Sequence, residues 1–194
     1  MKNRYNLILE NGLKMGGLLG AIFIFLSLIY YIAEFDMFNI MFGIINFLIL
    51  LALYIGFLLY SNKTVRAKKL EGAMNYPEGL LNAFVTGAVA ALVSTLYNYL
   101  FYTFFDPEYL QVAMQNAIEM IENNPAIPPE AMEEAIEKME KMTPAKSAIQ
   151  GLTTNLILSL VFALILALFT RKKADIFSER SEERRVGKEC RSRW

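Results

Sequence analysis

The chain has 194 residues, and 55% of them are hydrophobic, above the roughly 45–50% of an average globular domain. Its 19 basic and 19 acidic residues give a net charge of zero. The sequence holds no histidine and a single cysteine, which excludes metal centres built from histidine and the usual general base of enzymes.

Apolar residues are concentrated in four stretches that carry no charge, and these predict an all-α membrane protein. A helix needs about 20 apolar residues to cross roughly 30 Å of hydrocarbon. A soluble protein of this length has too little chain to cover four such helices. We therefore predict one membrane domain over residues 1–179, with transmembrane helices at about 15–33, 37–60, 79–105 and 147–170.

Small residues recur at i,i+4 along the start of span one and along span three. Small side chains at this period let helix backbones approach closely in lipid. The spacing fits packing within one chain, which we favour, and it also fits dimerisation. The helix-packing candidates are Gly12, Gly16, Gly20, Gly79, Ala83, Gly87 and Ala91.

Basic residues gather at three places that a four-span chain brings to one side. These are Lys2, Arg4, Lys14, Lys63, Arg66, Lys68, Lys69, Arg171, Lys172 and Lys173. Lysine and arginine accumulate on the cytoplasmic side of membrane proteins. In contrast, residues 106–146 hold nine acidic residues and three lysines. We therefore predict a multi-pass protein of the inner, cytoplasmic membrane with both termini in the cytoplasm and the acidic segment outside.

The acidic segment at about 106–143 is predicted to form an extracytoplasmic helical hairpin. Asp106 is placed to cap the first helix and Pro107 to open it. The prolines within 125–129 end that helix, and a second runs from about Pro129 to Met142. Thr143 then caps span four. The acidic residues have the spacing of a solvated helix face, which we favour over a metal site. The opposite, methionine-rich face must cover the outer ends of the spans, the lipid interface or a partner.

Three asparagines lie at a common depth within the spans, although no charged residue lies in any span. At about 1.5 Å per residue, Asn46, Asn98 and Asn155 lie at depths that agree to within roughly 3 Å. Amides at one level can bond one another across the bundle, each bond contributing about 0.6–2 kcal/mol. They can also line a small polar cavity. We favour the structural role for this candidate polar layer.

No phosphate-binding loop and no G-x-S-x-G nucleophile motif occurs in the sequence. We therefore expect no enzyme activity and no cofactor. The favoured function is that of a non-enzymatic accessory or scaffold protein acting through the external hairpin. The alternative is a small-solute transporter or channel that uses the asparagine layer. The expected partners are the lipid bilayer and a second copy or another membrane protein, and no nucleic acid.

Several motifs resemble the four-span family called domain of unknown function 4199, found in Gram-negative bacteria. The similarity covers about residues 5–173. It includes the glycine-rich GLKMGGLLG of span one, a basic loop before span three, and DPEY at the start of the acidic segment. The residues that match before span three are Gly72, Tyr76, Glu78 and Gly79. Ala73 and Met74 stand where an aromatic residue is common. The resemblance implies the four-span fold and a membrane location, and it implies no activity.

The last fifteen residues, RSEERRVGKECRSRW at 180–194, lie outside this resemblance. The same peptide results from translating DNA that looks like a short-read sequencing adapter. We therefore expect a non-native tail rather than a natural basic cytoplasmic one. On this interpretation Cys190 and Trp194 have no function.

Overall fold

The computed structural model describes residues 3–33, 40–125 and 127–172, so the tail at 180–194 lies outside the described residues. The helices are α1 (Arg4–Ile32), α2 (Ile40–Lys69), α3 (Tyr76–Leu100), α4 (Pro107–Glu122), α5 (Pro129–Glu140) and α6 (Pro144–Thr170), with a π-helical turn at Phe101–Phe105 between α3 and α4. The described ranges contain no β-strand. Four helices, α1, α2, α3 with its π-turn, and α6, are long and apolar enough to span a membrane. The prediction of an all-α protein with four membrane-spanning helices is confirmed.

The side chains of the spanning helices are arranged as expected for a protein in a lipid bilayer. Large apolar residues point outward, and Phe25 and Phe169 are 64% and 77% exposed. The buried positions of α3 are instead small or polar: Glu78, Gly79, Asn82, Ala83, Thr86, Gly87, Ala90 and Ala91. Hydrocarbon tails solvate leucine as well as another helix does, so packing and hydrogen bonds hold such a bundle together.

Helix α3 is the centre of the bundle and packs along α1 on one side and α6 on the other. A Cβ atom placed on Gly16 would lie 2.6 Å from the carbonyl oxygen of Thr86 on α3. Gly12 and Gly20 face Val85 and Val93 of the same helix at similarly short range. The glycine stripe of α1 therefore lets two backbones of this one chain approach closely.

The small residues of α3 form the close contact between α3 and α6, not the contact with α1. A Cβ on Gly79 would meet Thr170 of α6, and one on Gly87 would meet Ser159 of α6 and the Tyr54 hydroxyl of α2. Ala83 and Ala91 are buried on the same face of α3. The two stripes thus do not pack against each other, because α1 and α6 contact different sides of α3.

The helix ends between spans three and four follow the capping chemistry of the sequence. The Asp106 carboxylate accepts a hydrogen bond from the Tyr109 amide at 3.0 Å, and Pro107 opens α4. The Thr143 hydroxyl accepts one from the Lys146 amide at the start of α6. Both predicted caps are confirmed. In each case the side-chain oxygen satisfies an amide that has no partner within its own helix.

At the end of the bundle that carries the basic residues, called here the basic end, three chain segments are tied together. The Arg4 guanidinium donates to the Glu78 carboxylate at 2.8 Å, and that carboxylate accepts a further bond from the Asn75 amide at 2.8 Å. Met74 and Lys172 form an antiparallel β-bridge with two 2.9 Å hydrogen bonds. Gly72 has a φ of +83°, a conformation that favours glycine, in the turn between α2 and α3.

Helices α4 and α5 form a hairpin at the other end, called here the hairpin end. The two helices pack on each other, and α4 also contacts the π-turn. Leu110 is the buried residue of α4, and α5 has none. Ion pairs Glu134–Lys138 and Glu137–Lys141 lie on the exposed face of α5. The hydrogen bond from Lys138 lowers the pKa of the Glu134 carboxyl. The exposed ion pairs give α5 a solvated outer face. The position of the hairpin outside the cytoplasm stays a prediction.

Candidate functional site

The three asparagines of the candidate polar layer lie around one cavity in the half of the bundle nearest the hairpin. The cavity has a volume of about 430 Å³ and lies between α1, α2, α3 and α6. Asn46, Asn98 and Asn155 reach it from α2, α3 and α6 respectively. Within the described residues, no hydrogen bond joins any two of these amides. Of the two arrangements that the sequence allows, the structure has the one in which the amides line a cavity.

Few of the polar groups around the cavity bond to one another. The Tyr30 hydroxyl donates to Asn46 Oδ1 at 2.7 Å. The Ser94 and Tyr97 hydroxyl oxygens are enclosed, and neither has a hydrogen-bond partner among the described residues. Asn98 and Asn155 likewise make no side-chain hydrogen bond in the part of the chain that the structure describes. An enclosed polar group without a partner costs about 1–3 kcal/mol, so the Ser94 and Tyr97 hydroxyls favour an occupant that supplies their missing bonds.

Aromatic side chains make up most of the remaining wall. They are Phe23, Tyr30, Tyr31, Phe47, Tyr54, Tyr97, Phe101, Tyr102, Tyr109 and Phe162. No charged residue is among the described residues that line the cavity. An aromatic wall with uncharged polar groups suits a neutral molecule, because a charge there would be removed from water without a counter-ion.

The wall nearest the hairpin is built from the π-turn and the start of α4. The Tyr31 hydroxyl of α1 donates to the Asp106 carboxylate at 2.9 Å, and its ring packs edge-on against Phe101. Tyr102 and Tyr109 stack with ring centroids 6.1 Å apart. Burial, and then the negative charge of Asp106, raise the pKa of the Tyr109 phenol, so it stays protonated at neutral pH. The hairpin therefore shares residues with the cavity through α4.

A buried hydrogen-bond network fills the opposite half of the bundle and joins all four spanning helices. Asn82 is its centre: it accepts from Asn11 Nδ2 at 3.0 Å and donates to Ser61 Oγ at 2.9 Å and to Asn62 Oδ1 at 2.8 Å. The Ser61 and Thr86 hydroxyls lie 3.0 Å apart. This polar network comprises Asn11, Ser61, Asn62, Asn82, Thr86 and Thr170, each at most 3% exposed.

The polar network continues to the basic end and adjoins the cavity. Asn62 Nδ2 donates to the Thr170 hydroxyl at 3.0 Å, and the Arg66 guanidinium donates to the Thr170 carbonyl at 2.8 Å. In the other direction, Thr86 belongs to the network while Gly87, the next residue, lines the cavity. Side chains that bond one another thus occupy the bundle between the cavity and the basic end.

Sequence reasoning missed the polar network, although one signal was present. Asn82 and Thr86 are spaced four residues apart on α3. They lie next to its small residues, between Gly79 and Gly87, and are buried with them. Asn11 directly precedes Gly12, which places it beside the stripe of α1. A search for polar residues next to the small-residue stripes finds these positions, whereas a search for polar residues in the middle of the charge-free stretches does not.

No group of three or more acidic, cysteine or histidine side chains within residues 3–33, 40–125 and 127–172 is placed to hold a metal ion. A family model described as "Protein of unknown function (DUF4199)" matches residues 14–172 of the chain. Neither a curated protein nor a solved structure matches the chain.

Proposed function

The chain belongs to the DUF4199 family of proteins of unknown function, and from its own geometry we propose that it binds a small neutral molecule in the cavity at the hairpin end. The proposal keeps the asparagine site of the transporter or channel alternative but assigns it binding alone, and the cavity is the reason for preferring it to the scaffold function. The observation that carries the proposal is an aromatic cavity of about 430 Å³ lined by three amides and two enclosed, unpaired hydroxyls. Small-molecule sites are mostly apolar, have volumes of roughly 300–1,000 Å³ and hold a few polar groups that orient the ligand.

The polar network supports a binding site rather than an open channel. A solute that leaves the cavity toward the basic end has to separate Asn82 from Ser61 and Asn62, whose bonds are 2.8–2.9 Å long. Buried polar groups lose free energy when such bonds open without replacement. Passage across the membrane therefore requires a rearrangement of this half of the bundle, whereas binding at the hairpin end does not.

Ligand-induced stabilisation tests the proposal in lipid nanodiscs. We expect 2-naphthol, which is neutral at pH 7, to raise the unfolding temperature of the wild-type chain, and 2-naphthalenesulfonate to have no effect. A ligand at 100 times its Kd stabilises a protein by about 2.7 kcal/mol. Ser94→Phe fills the cavity and is expected to abolish the shift. Leu92→Phe adds a similar ring on an exposed face of α3, outside the cavity, and is the matched control.

Equal stabilisation by the neutral and the charged compound would contradict the proposal, as would a shift that survives in Ser94→Phe. Either result would return the scaffold function to first place. That function is supported by α5, which has no buried residue and so presents a wide surface to a partner. Crosslinking of the intact chain through α5 in native membranes is the corresponding measurement.

We also propose an inner-membrane location with the basic end in the cytoplasm, supported by the asymmetry of lysine and arginine. Reporter fusions at Lys2, Arg66 and Lys172 are expected to give cytoplasmic signals, and a fusion near Pro125 an external one. The fusion after Arg66 is the most informative, because Arg66 lies in the last turn of α2, at the basic end of the bundle. An external signal there would reverse the orientation of the whole bundle.

A further inference from the structure

The cavity is open on one side, and the exposed residues of its wall identify that side. Three of the residues that line it are exposed: Phe47 on α2, and Asn155 and Leu158 on α6. The lining residues on α1 and α3 are all buried or half-buried. Helices α2 and α6 touch each other at few positions, whereas α3 packs closely along both α1 and α6. The opening therefore lies in the gap between α2 and α6.

This gap faces the hydrocarbon of the bilayer rather than water. Asn155 lies eight residues past Ser147, where the fourth charge-free stretch begins, and is thus about 12 Å from that end of the span. Exposed large apolar residues flank this depth on both helices, among them Ile44 and Leu48 on α2 and Ile157 and Leu160 on α6.

The cavity is closed toward both ends of the bundle. At the hairpin end, the Tyr31 hydroxyl bonds to the Asp106 carboxylate at 2.9 Å, and the rings of Tyr102 and Tyr109 stack. At the basic end, the polar network around Asn82 fills the bundle. A molecule in the cavity is therefore in contact with the bilayer and separated from the water on either side.

Helix α2 is held to the bundle mainly at its basic end. Among its described side chains, none before Leu58 is buried. Ser61 and Asn62 bond to Asn82, and Asn62 also bonds to Thr170. The half of α2 that borders the cavity lacks such buried anchors. This half can move aside to admit a ligand without breaking the polar network.

From this geometry we propose that the ligand comes from the bilayer and is a neutral lipid with an alkyl tail. Its ring or small polar head lies in the cavity, and its tail leaves through the gap between α2 and α6. The head bonds to the enclosed Ser94 and Tyr97 hydroxyls, while the tail stays in hydrocarbon. The head also covers Asn155, an exposed amide that hydrocarbon alone cannot satisfy. The inference rests on the proposed binding function and adds the class of ligand.

Two compounds that share a head and differ in their tail test the inference. We use 2-naphthol and radiolabelled 6-octadecyl-2-naphthol with the full chain in nanodiscs, and subtract binding to empty nanodiscs. The ring and the octadecyl chain together are too large for a cavity of about 430 Å³, so the tailed compound binds only if its chain can leave. We expect saturable binding that 2-naphthol displaces. Referred to concentrations in the bilayer, the two affinities should agree within about tenfold.

A pair of variants tests the route of the tail. Leu158→Trp enlarges a side chain at the opening and is expected to weaken binding of the tailed compound about tenfold or more, while 2-naphthol keeps its affinity. Leu160→Trp is the matched control, since Leu160 is 46% exposed, against 45% for Leu158, and does not line the cavity. Circular dichroism verifies that both variants are folded. Binding of the tailed compound to Leu158→Trp at wild-type affinity would contradict a route through this gap.

Photo-crosslinking locates the tail on the wild-type chain, so it needs no substitution. A diazirine is placed in the tail next to the ring, and the adducts are mapped by mass spectrometry. We expect adducts near Phe47 and Leu158 that an excess of 2-naphthol suppresses. Suppressible adducts confined to α1 or to the hairpin would overturn the inference.

The outcomes separate the two proposals. Binding of 2-naphthol without binding of the tailed compound would overturn the lipid inference and leave the binding function in place. Binding of neither compound above the level of empty nanodiscs would overturn both. Binding of both compounds at one site, with the tail crosslinked to α2 and α6, supports both.

Discussion

Replacing Gly16 by alanine is expected to lower the free energy of unfolding by about 1–3 kcal/mol, the usual cost of inserting a methyl group into a tightly packed contact. The added Cβ would lie 2.6 Å from both the Thr86 carbonyl oxygen and Val89 Cβ. The Thr86 carbonyl belongs to the backbone of α3 and cannot rotate aside. The helices α1 and α3 must therefore move apart along the whole stripe. Reversible unfolding of the chain in nanodiscs or mild detergent measures the effect.

The next residue supplies the control. A Cβ on Gly17 would meet nothing within 4 Å, because this position faces away from the helix contacts. Gly17→Ala is expected to be neutral or to stabilise by up to about 1 kcal/mol, since alanine is the better helix former. Equal destabilisation by the two substitutions would show that the close approach of α1 to α3 contributes nothing specific to stability.

Replacing Asn82 by alanine is expected to destabilise the bundle by about 2–5 kcal/mol, from three lost hydrogen bonds of roughly 0.6–1.7 kcal/mol each. The residue is fully buried and bonds to Asn11, Ser61 and Asn62. Its loss also removes a partner from polar groups of two helices, α1 and α2, in a region that water does not reach. The same unfolding measurement applies, and it should be made over several temperatures to establish that unfolding is two-state.

Asn155→Ala is the matched comparison for Asn82→Ala. Asn155 is also an asparagine within a span, but it is exposed and makes no side-chain hydrogen bond in the described structure. Its truncation is expected to change stability by less than about 0.5 kcal/mol. If the two substitutions cost the same, the network around Asn82 does not stabilise the fold.

The fold was largely predictable because its main determinants are local in sequence. Spans appear as charge-free stretches, and Asp106 and Thr143 cap helices within three residues of themselves. The helices nevertheless extend past those stretches: α1 begins at Arg4, well before residue 15, because its first turns bond to the basic end. The π-turn at Phe101–Phe105 has no signal that distinguishes it from an α-helix.

The candidate site was predictable only in part. The distances between neighbouring helices depend on several segments together, so no single segment of the sequence predicts them. The common depth of Asn46, Asn98 and Asn155 follows from helix rise alone. Whether their amides bond or stand apart depends on how closely α2 approaches α3 and α6, and α2 packs more loosely than either. Partners in the polar network are separated by up to 108 residues, as in the bond from Asn62 to Thr170. No spacing rule relates such positions.

The bond between Asn62 and Thr170 also has a consequence for biogenesis. The ribosome synthesises the chain from its N-terminus, and Thr170 ends the fourth span, so Asn62 and Arg66 are made before their partners exist. Until α6 is inserted, the amide of Asn62 lacks its Thr170 partner, and the strand-like pairing of Met74 with Lys172 has not formed. A chain truncated before α6 therefore exposes polar groups within the membrane. Such groups distinguish an unfinished chain from a finished one.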